Sequence, residues 1–411
     1  MTPPPRTIPW RSMKILYAVG FGGWWGDYPP NVLDREDGGP VGGGETAALS
    51  TAFRLAALGH DVTYCSVAQP GEHNGVRFLP KIKYVPTLLQ GGPWDAVVAW
   101  SNIEYLKAVP RNTAARLFAQ QVNDISYPQG WDDHVDCIVS PSMTHAGMME
   151  QVVGEQAKKN VGFSVCYNGM DPSLYDNPPD PKDRPMHVGW WSSPDRGLVL
   201  LLQAWPLIKS AVPDAKLQIF YKVLDFVRGA AQHPGWPGVC ARALKELLVA
   251  VQGLDVEVID QIPRRRLSVF QRQCRVQAYP CAPDGFTEGF ACSINEALMA
   301  GALTVTRPVD AFYELWNGPV KWIESHPAQE GFLEEVAAKV VWGLTEWAED
   351  PNRSPSLEDM RNHAMQFTWE RSGEQMEAII TDTIRGKRLS SKDIMGDRYD
   401  VYAARASHHT F

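Results

Sequence analysis

None of the seven cysteines (Cys65, Cys137, Cys166, Cys240, Cys274, Cys281, Cys292) sits in a Cys-x-x-Cys pair, and their spacing is irregular. That argues against a disulfide framework, a zinc ribbon or a redox pair. Most lie in apolar, strand-like surroundings, so reduced core thiols in a cytoplasmic compartment are expected. Long uncharged apolar runs are missing too, and Met1-Thr2-Pro3-Pro4-Pro5-Arg6 has no apolar core of a signal peptide; neither a membrane span nor a secretory leader is expected. Positive charge is not in excess. A net charge of −8 and a pI near 5.7 exclude a global attraction to nucleic acid or to an anionic membrane. The ten histidines show no metal-ligand spacing, and His408-His409 falls in the tail.

What the chain does contain is core. At 411 residues it suits two domains of ordinary size, and 44% hydrophobic with 21% charged residues marks a globular protein. Fifteen tryptophans, several beside Gly or Pro, suggest loops walled with aromatics around a ligand. Residues 1–12 read as a Pro-rich, flexible leader. Apolar runs predict strands over 14–19, 61–65, 96–99, 116–121 and 137–140, with a helix over 45–58 whose Leu49, Ala52, Phe53 and Ala56 share a face. The first strand, this helix and the second strand make a βαβ unit with a right-handed crossover expected. Residues 13–170 therefore read as one Rossmann-like domain. Five prolines among polar residues make 171–185 an interdomain linker. A second βα series follows over 186–364, with strands at 186–190, 216–221, 256–259 and 276–280 and helices at 198–210 and 332–347. The last clear helix is expected over 365–384, leaving 385–411 unassigned.

Three segments carry candidate chemistry. Glu288-Gly289-Phe290-Ala291-Cys292-Ser293-Ile294-Asn295-Glu296 places two acids eight positions apart at a strand-to-helix junction, before an apolar helix that closes at Gly301 and runs into another strand. Both acids can face the crevice at the carboxyl ends of the strands, where open α/β sheets bind ligands. The N–H groups of the opening turn favour an anion in the same place. Acids for sugar hydroxyls beside donors for phosphate suit a sugar nucleotide. The same residues also read as a capping box, Ser293 as N-cap and Glu296 reaching back to its N–H. Second, Gly38-Gly39-Pro40-Val41-Gly42-Gly43-Gly44-Glu45 joins the first strand to the first helix. Its spacing is not the dinucleotide fingerprint, and Glu45 would repel phosphate, so the loop belongs to the acceptor and sugar side or is plain surface. Third, Ser192-Ser193-Pro194-Asp195-Arg196-Gly197-Leu198 opens a long helix, with Ser193 as N-cap, Pro194 at N1 and Arg196 at N3. A cation there opposes the helix dipole unless an anion binds; a surface ion pair with Asp195 is the alternative.

The first of these segments resembles the Glu-x7-Glu motif of family 4 of the retaining GT-B glycosyltransferases, in which the first Glu lies against the donor sugar and the second holds the nucleotide ribose. The resemblance extends over residues 14 to about 385. Ser192 to Leu198 is similar to the segment whose Lys or Arg grips the donor diphosphate, and a Gly-Gly-x-Glu-like loop recurs at Gly43, Gly44 and Glu45. Tyr167-Asn168-Gly169-Met170-Asp171 resembles a structural turn at the domain junction. Phe367-Thr368-Trp369-Glu370 resembles the start of a terminal helix crossing back to the first domain. Two departures stand out: Trp190 occupies the place of a further phosphate-binding Arg, with Lys222 a substitute, and the sugar-contacting His is absent near Gln121-Val122-Asn123-Asp124. Asp124 is then a sugar or acceptor contact, or a loop cap.

The resemblance implies a GT-B architecture, two Rossmann-like domains facing across a cleft, and a cytoplasmic retaining transferase. Glu288, Arg196 and Asp124 would be catalytic. Glu296, Gly289, Phe290, Ala291, Cys292, Ser192, Ser193, Lys222 and Ile262 would bind the donor. Gly43, Gly44, Glu45, Trp24, Trp25 and Asp27 would line the acceptor side. No Asp-x-Asp sits at a strand end, so neither a metal nor any other cofactor is expected beyond the nucleoside-diphosphate sugar as co-substrate. The expected acceptor is a carbohydrate-containing or small molecule. Arg264-Arg265-Arg266 and Arg385-Gly386-Lys387-Arg388 leave a hydroxymethylated DNA base as an alternative; the triple Arg follows a second-domain strand on the donor side, so it serves the nucleotide or is solvated, the commoner fate of a charge run. A sugar-nucleotide epimerase and a non-catalytic nucleotide- or glycan-binding module are the rival readings.

Overall fold

The computed structural model describes residues 12–20, 28–35, 41–66, 69–119, 130–282 and 285–396. The expected leader (apart from Ser12), Asp124, Trp24, Trp25 and Asp27 lie outside these.

The first half runs β1 (Lys14–Val19), α1 (Gly43–Ala57), β2 (Asp61–Ser66), β3 (Gly71–His73), β4 (Val76–Pro80), α2 (Tyr84–Gly91), β5 (Ala96–Trp100), β6 (Ala115–Ala119), β7 (Cys137–Ser140), α3 (Met143–Val152), α4 (Gly154–Lys158) and β8 (Gly162–Val165). They form an eight-stranded sheet, β3-β4-β2-β1-β5-β6-β7-β8, parallel throughout except for β3. β1 pairs with β2 on one side and β5 on the other, Ile15 opposite both Val62 and Ala96. Helices cover both faces, so these strands read as unbroken apolar runs rather than alternating ones. The β3–β4 hairpin was not anticipated, although its signal is local: Asn74-Gly75, both at positive φ, is a two-residue hairpin turn.

The second half runs β9 (His187–Trp190), α5 (Leu198–Ala211), β10 (Lys216–Ile219), α6 (Val223–Ala230), α7 (Trp236–Ala250), β11 (Val256–Val258), α8 (Arg264–Gln271), β12 (Val276–Tyr279), α9 (Cys292–Ala300), β13 (Leu303–Thr306), α10 (Phe312–Trp316), β14 (Lys321–Trp322) and α11 (Phe332–Trp342). Its sheet is β11-β10-β9-β12-β13-β14, all parallel. Strand order reverses at β1/β5 in the first sheet and β9/β12 in the second, the points at which doubly wound sheets open a crevice.

The expected helix over 365–384 begins four residues later, at Trp369, and a separate helix precedes it. α12 (Leu357–Ala364) ends first, and Thr368, accepting from the Arg371 N–H, caps α13 (Trp369–Ile384). A last short helix, α14 (Ser391–Met395), opens with a capping box on Ser390 and Asp393. α13 returns to the first half, where Trp369, Met376 and Ile380 join its core and Glu377 meets His60 at 2.9 Å. Residues 171–185 carry two single-turn helices, Pro172–Tyr175 and Pro181–Asp183. Arg184 of this stretch is buried, donating to the carbonyls of Pro179, Cys274 and Gly301. The tryptophans are mostly core: Trp100, Trp190, Trp205, Trp316 and Trp347 are among the largest fully buried side chains. Burial of so large a side chain is strongly favourable; Trp24 and Trp25, on which the expectation of an aromatic-walled loop chiefly rested, lie outside the described residues.

Candidate functional site

The segment after β9 departs from its expected form. Ser193 precedes a single 3₁₀ turn, Pro194–Arg196, and does not cap α5. Its hydroxyl bonds the carboxylate of Asp195 instead. Gly197 follows at φ +123°, and a Cβ there would lie 2.4 Å from the carbonyl oxygen of Pro280. A glycine is thus required, and it turns the chain so that α5 starts at Leu198. Arg196 precedes that helix rather than standing at its N3 position.

The turn points the Arg196 guanidinium at the first acid. Its Nε lies 3.1 Å from Glu288 Oε1, while Asp195 is 3.8 Å from Nη1, so the expected alternative partner is the weaker one. Glu288 is buried, in the loop between β12 and α9, and burial pushes its carboxyl up to about 7 against the opposing pull of Arg196. Arg196 is shifted further up by Glu288 and then Asp195, more than burial pulls it down.

The capping-box reading of the second acid does not hold. Ala291 is the N-cap of α9, no side chain caps it, and Ser293 stands inside the first turn. Glu296 faces across the cleft wall instead, one oxygen on Arg264 Nη1 and the other accepting from Gln271 Nε2 at 3.1 Å. Arg264 opens α8, and its Nε reaches the Thr46 hydroxyl of α1 at 3.3 Å. The triple arginine is therefore not a uniformly solvated run. Arg265 and Arg266 are exposed, but Arg264 is drawn in by the buried carboxylate. Charge density alone gave no sign of which of the three would turn inward.

These groups line a cleft of about 790 Å³ between the two halves. The first half contributes Gly43, Gly44 and Glu45 at the start of α1, with Val41 and Asn168. The second contributes Ser192, Ser193, Arg196, Lys222, Ile262, Glu288, Phe290, Ala291, Cys292 and Glu296, joined by Trp191 and Arg264. Gly289 sits behind this wall, against the first half; a Cβ on it would meet Pro141 and His145 at 3.0 and 3.2 Å. Glu45 is buried as well, and loss of solvent pushes its carboxyl up to about 7. Cys292 is held as a thiol, pushed up to about 12 chiefly by burial. Sequence reasoning missed Trp191 and Asn168 as cleft residues, of which only Asn168 had a local signal, its place in the Asn-Gly turn; the triple arginine was placed on the donor side, without singling out Arg264.

Among the described residues, no group of three or more His, Cys, Asp or Glu is placed to hold a metal ion, and no helix is long and apolar enough to cross a membrane.

Two parallel-sheet domains, each with its ligand crevice turned to a common cleft, define the GT-B architecture. No protein-family model matches the chain, and no curated protein matches it by sequence. Solved structures do match in fold. Anabaena Alr3699/HepE, determined in complex with UDP and glucose, shares 15% identity over 90% of this chain and 100% of its own, with a TM-score of 0.62. Sucrose-phosphate synthase from Thermosynechococcus elongatus shares 14% over 92% and 100%, again at 0.62. The trehalose 6-phosphate synthase of Burkholderia multivorans shares 10% over 91% and 99%, at 0.62.

Proposed function

We propose that the protein is a glycosyltransferase that moves a sugar from a nucleoside-diphosphate sugar to a carbohydrate-containing or small-molecule acceptor, with retention and without a metal. The observation that carries this is the Arg196–Glu288 pair, 3.1 Å apart in the cleft beside the N-terminus of α9. A cation and a set of helix-end N–H groups meet a diphosphate; an acid beside them meets a sugar.

In this reading the diphosphate takes Arg196 and the N–H groups of residues 290–292. Negative charge growing on the leaving phosphate is stabilised there, by groups already in place before reaction. Glu288, released from Arg196, orients the transferred sugar. Glu296 keeps Arg264 and Gln271 and still has free lone pairs for ribose hydroxyls, since a carboxylate accepts about four hydrogen bonds. Arg264 holds Glu296 in place, and Lys222, also in the cleft wall, is the second cation for the diphosphate. The glycine loop at Gly43 and Gly44, with Glu45, faces the acceptor. Retention follows the family resemblance; independence from metal rests on Arg196 supplying the charge a cation would. A soluble, cytoplasmic setting belongs to the same proposal, in keeping with seven free thiols, six of them buried.

A thermal-shift panel of UDP-, GDP-, ADP- and dTDP-sugars tests donor binding, because a ligand of the native state raises its melting temperature. Labelled-sugar transfer to saccharides, small alcohols and hydroxymethylated duplex DNA then tests the acceptor. Turnover of the nucleotide sugar with no acceptor would point to an epimerase. Binding without any turnover would leave a binding module.

A further inference from the structure

The backbone of Glu288 is tied at both of its polar groups to the entry of α10. Its N–H donates to Asp310 Oδ2 at 2.9 Å, and its carbonyl accepts from the Ala311 N–H at 3.3 Å. The preceding Thr287 N–H donates to the same Asp310 oxygen at 2.8 Å. One turn further along, Glu314 leaves the second half altogether. Its Oε1 accepts from the Met143 N–H at 2.9 Å and the Tyr167 hydroxyl at 3.1 Å. Its Oε2 accepts from the Thr144 N–H and the Thr144 hydroxyl, both at 2.7 Å. All four donors belong to the first half, and two are free N–H groups at the start of α3, where the helix dipole favours an anion. Burial pushes Glu314 up, and the hydrogen bonds from Thr144, Met143 and Tyr167 pull it back. The same turn of α3 touches the catalytic loop directly: the buried His145 ring lies 5.8 Å from Phe286 and packs on Gly289.

We infer that Glu314 is a positioning residue for the reaction proposed above, coupling the docking of the two halves to the placement of Glu288. The Glu314 contacts exist only when the halves stand in this arrangement. When they form, α10 is pinned to α3, and Asp310 and Ala311 at its entry carry the Glu288 backbone with them. When they break, the carboxylate is hydrated, α10 is held from one side only, and the loop at 286–289 loses its seat on α3. Closure of the cleft and alignment of the sugar-facing acid are then one event. This inference rests on the sugar-transfer reading for the task of Glu288, but on the hydrogen bonds alone for how that residue is held.

The test is hydrogen exchange by mass spectrometry on the full chain, wild type against Glu314→Gln and Glu314→Ala. Asp136→Asn serves as control, because it weakens the 2.7 Å Arg116–Asp136 pair wholly inside the first half. The Gln variant keeps the shape and guards against misfolding of the Ala variant. Expected is at least tenfold faster exchange in peptides spanning 285–291 as well as 142–148 in the Glu314→Gln protein, with no change at 285–291 in the control. With the donor selected by thermal shift, kcat should fall at least tenfold while donor affinity changes less than threefold. Faster exchange confined to 142–148, with 285–291 unchanged, would reduce Glu314 to a local cap and overturn the inference. Because exchange is read on the free protein, it decides the coupling even where no nucleotide sugar is turned over, the outcome that would sink the transferase reading separately.

Discussion

Arg196→Ala and Glu288→Gln should move donor binding in opposite directions, although each breaks the same 3.1 Å pair. In the proposed reading Arg196 is the cation that meets the diphosphate, and a hydrogen bond to a charged group contributes about 1.5–3 kcal/mol net. Its loss should weaken binding of the nucleotide sugar roughly 10- to 150-fold. Glu288 competes for that same guanidinium. Neutralising it leaves Arg196 only the more distant Asp195, so affinity at pH 8 should rise while turnover falls. The pH dependence follows with a definite sign. The Glu288 carboxyl stands at about 7 in the free protein, raised by burial. A bound diphosphate removes its arginine and adds negative charge, which raises it further. Donor binding therefore takes up a proton, and Kd should fall as pH drops from 8 to 6, by at most about tenfold per unit for one proton. The pyrophosphate diester of a nucleotide sugar does not titrate in this range, so the slope belongs to the protein. Calorimetry at pH 6, 7 and 8 on wild type and both variants measures it. Equal losses of affinity in the two variants, or the same slope persisting in Glu288→Gln, would refute the competition between acid and diphosphate.

Glu296→Ala should weaken nucleotide binding and also lower the melting temperature, because Arg264 is left beside an empty place; a stability loss with donor binding intact would show that Glu296 serves only Arg264 and Gln271. Arg264→Ala should likewise weaken binding, in contrast to Arg266→Ala, which removes an exposed charge; equal effects in the same calorimetric titration would return the whole run to solvent. Glu45 is buried with its carboxyl raised from 4.5 to about 7, so the native state binds the extra proton and stability falls as pH rises from 4.5 through 7. Glu45→Gln should accordingly stabilise the protein at pH 8 by up to roughly 3 kcal/mol and not at pH 4, read as a melting-temperature difference. Treatment with a chelator should leave transfer unchanged; loss restored by Mn²⁺ would contradict the metal-free reading.

Much of this architecture is written in local pattern. Strands such as Lys14–Val19 and Cys137–Ser140 were readable because a parallel strand buried on both faces must be apolar at nearly every position. The two acids at 288 and 296 were readable because their spacing spans one loop and the first turn of one helix. What those acids touch was not. Arg264 is 32 positions from Glu296, and Thr144 is 170 from Glu314. No periodicity links residues that meet only when separate elements pack. The same limit explains the misplaced caps. Ser193 and Ser293 have the composition of N-caps, yet tertiary packing overrides it: Pro280 crowds Gly197 and moves the start of α5 five residues beyond Ser193, while α9 begins one residue before Ser293. Local sequence determines which segments become strands and helices; the partners of a buried charge are chosen by the packing of those segments, because only the closed structure removes the water that would otherwise solvate it.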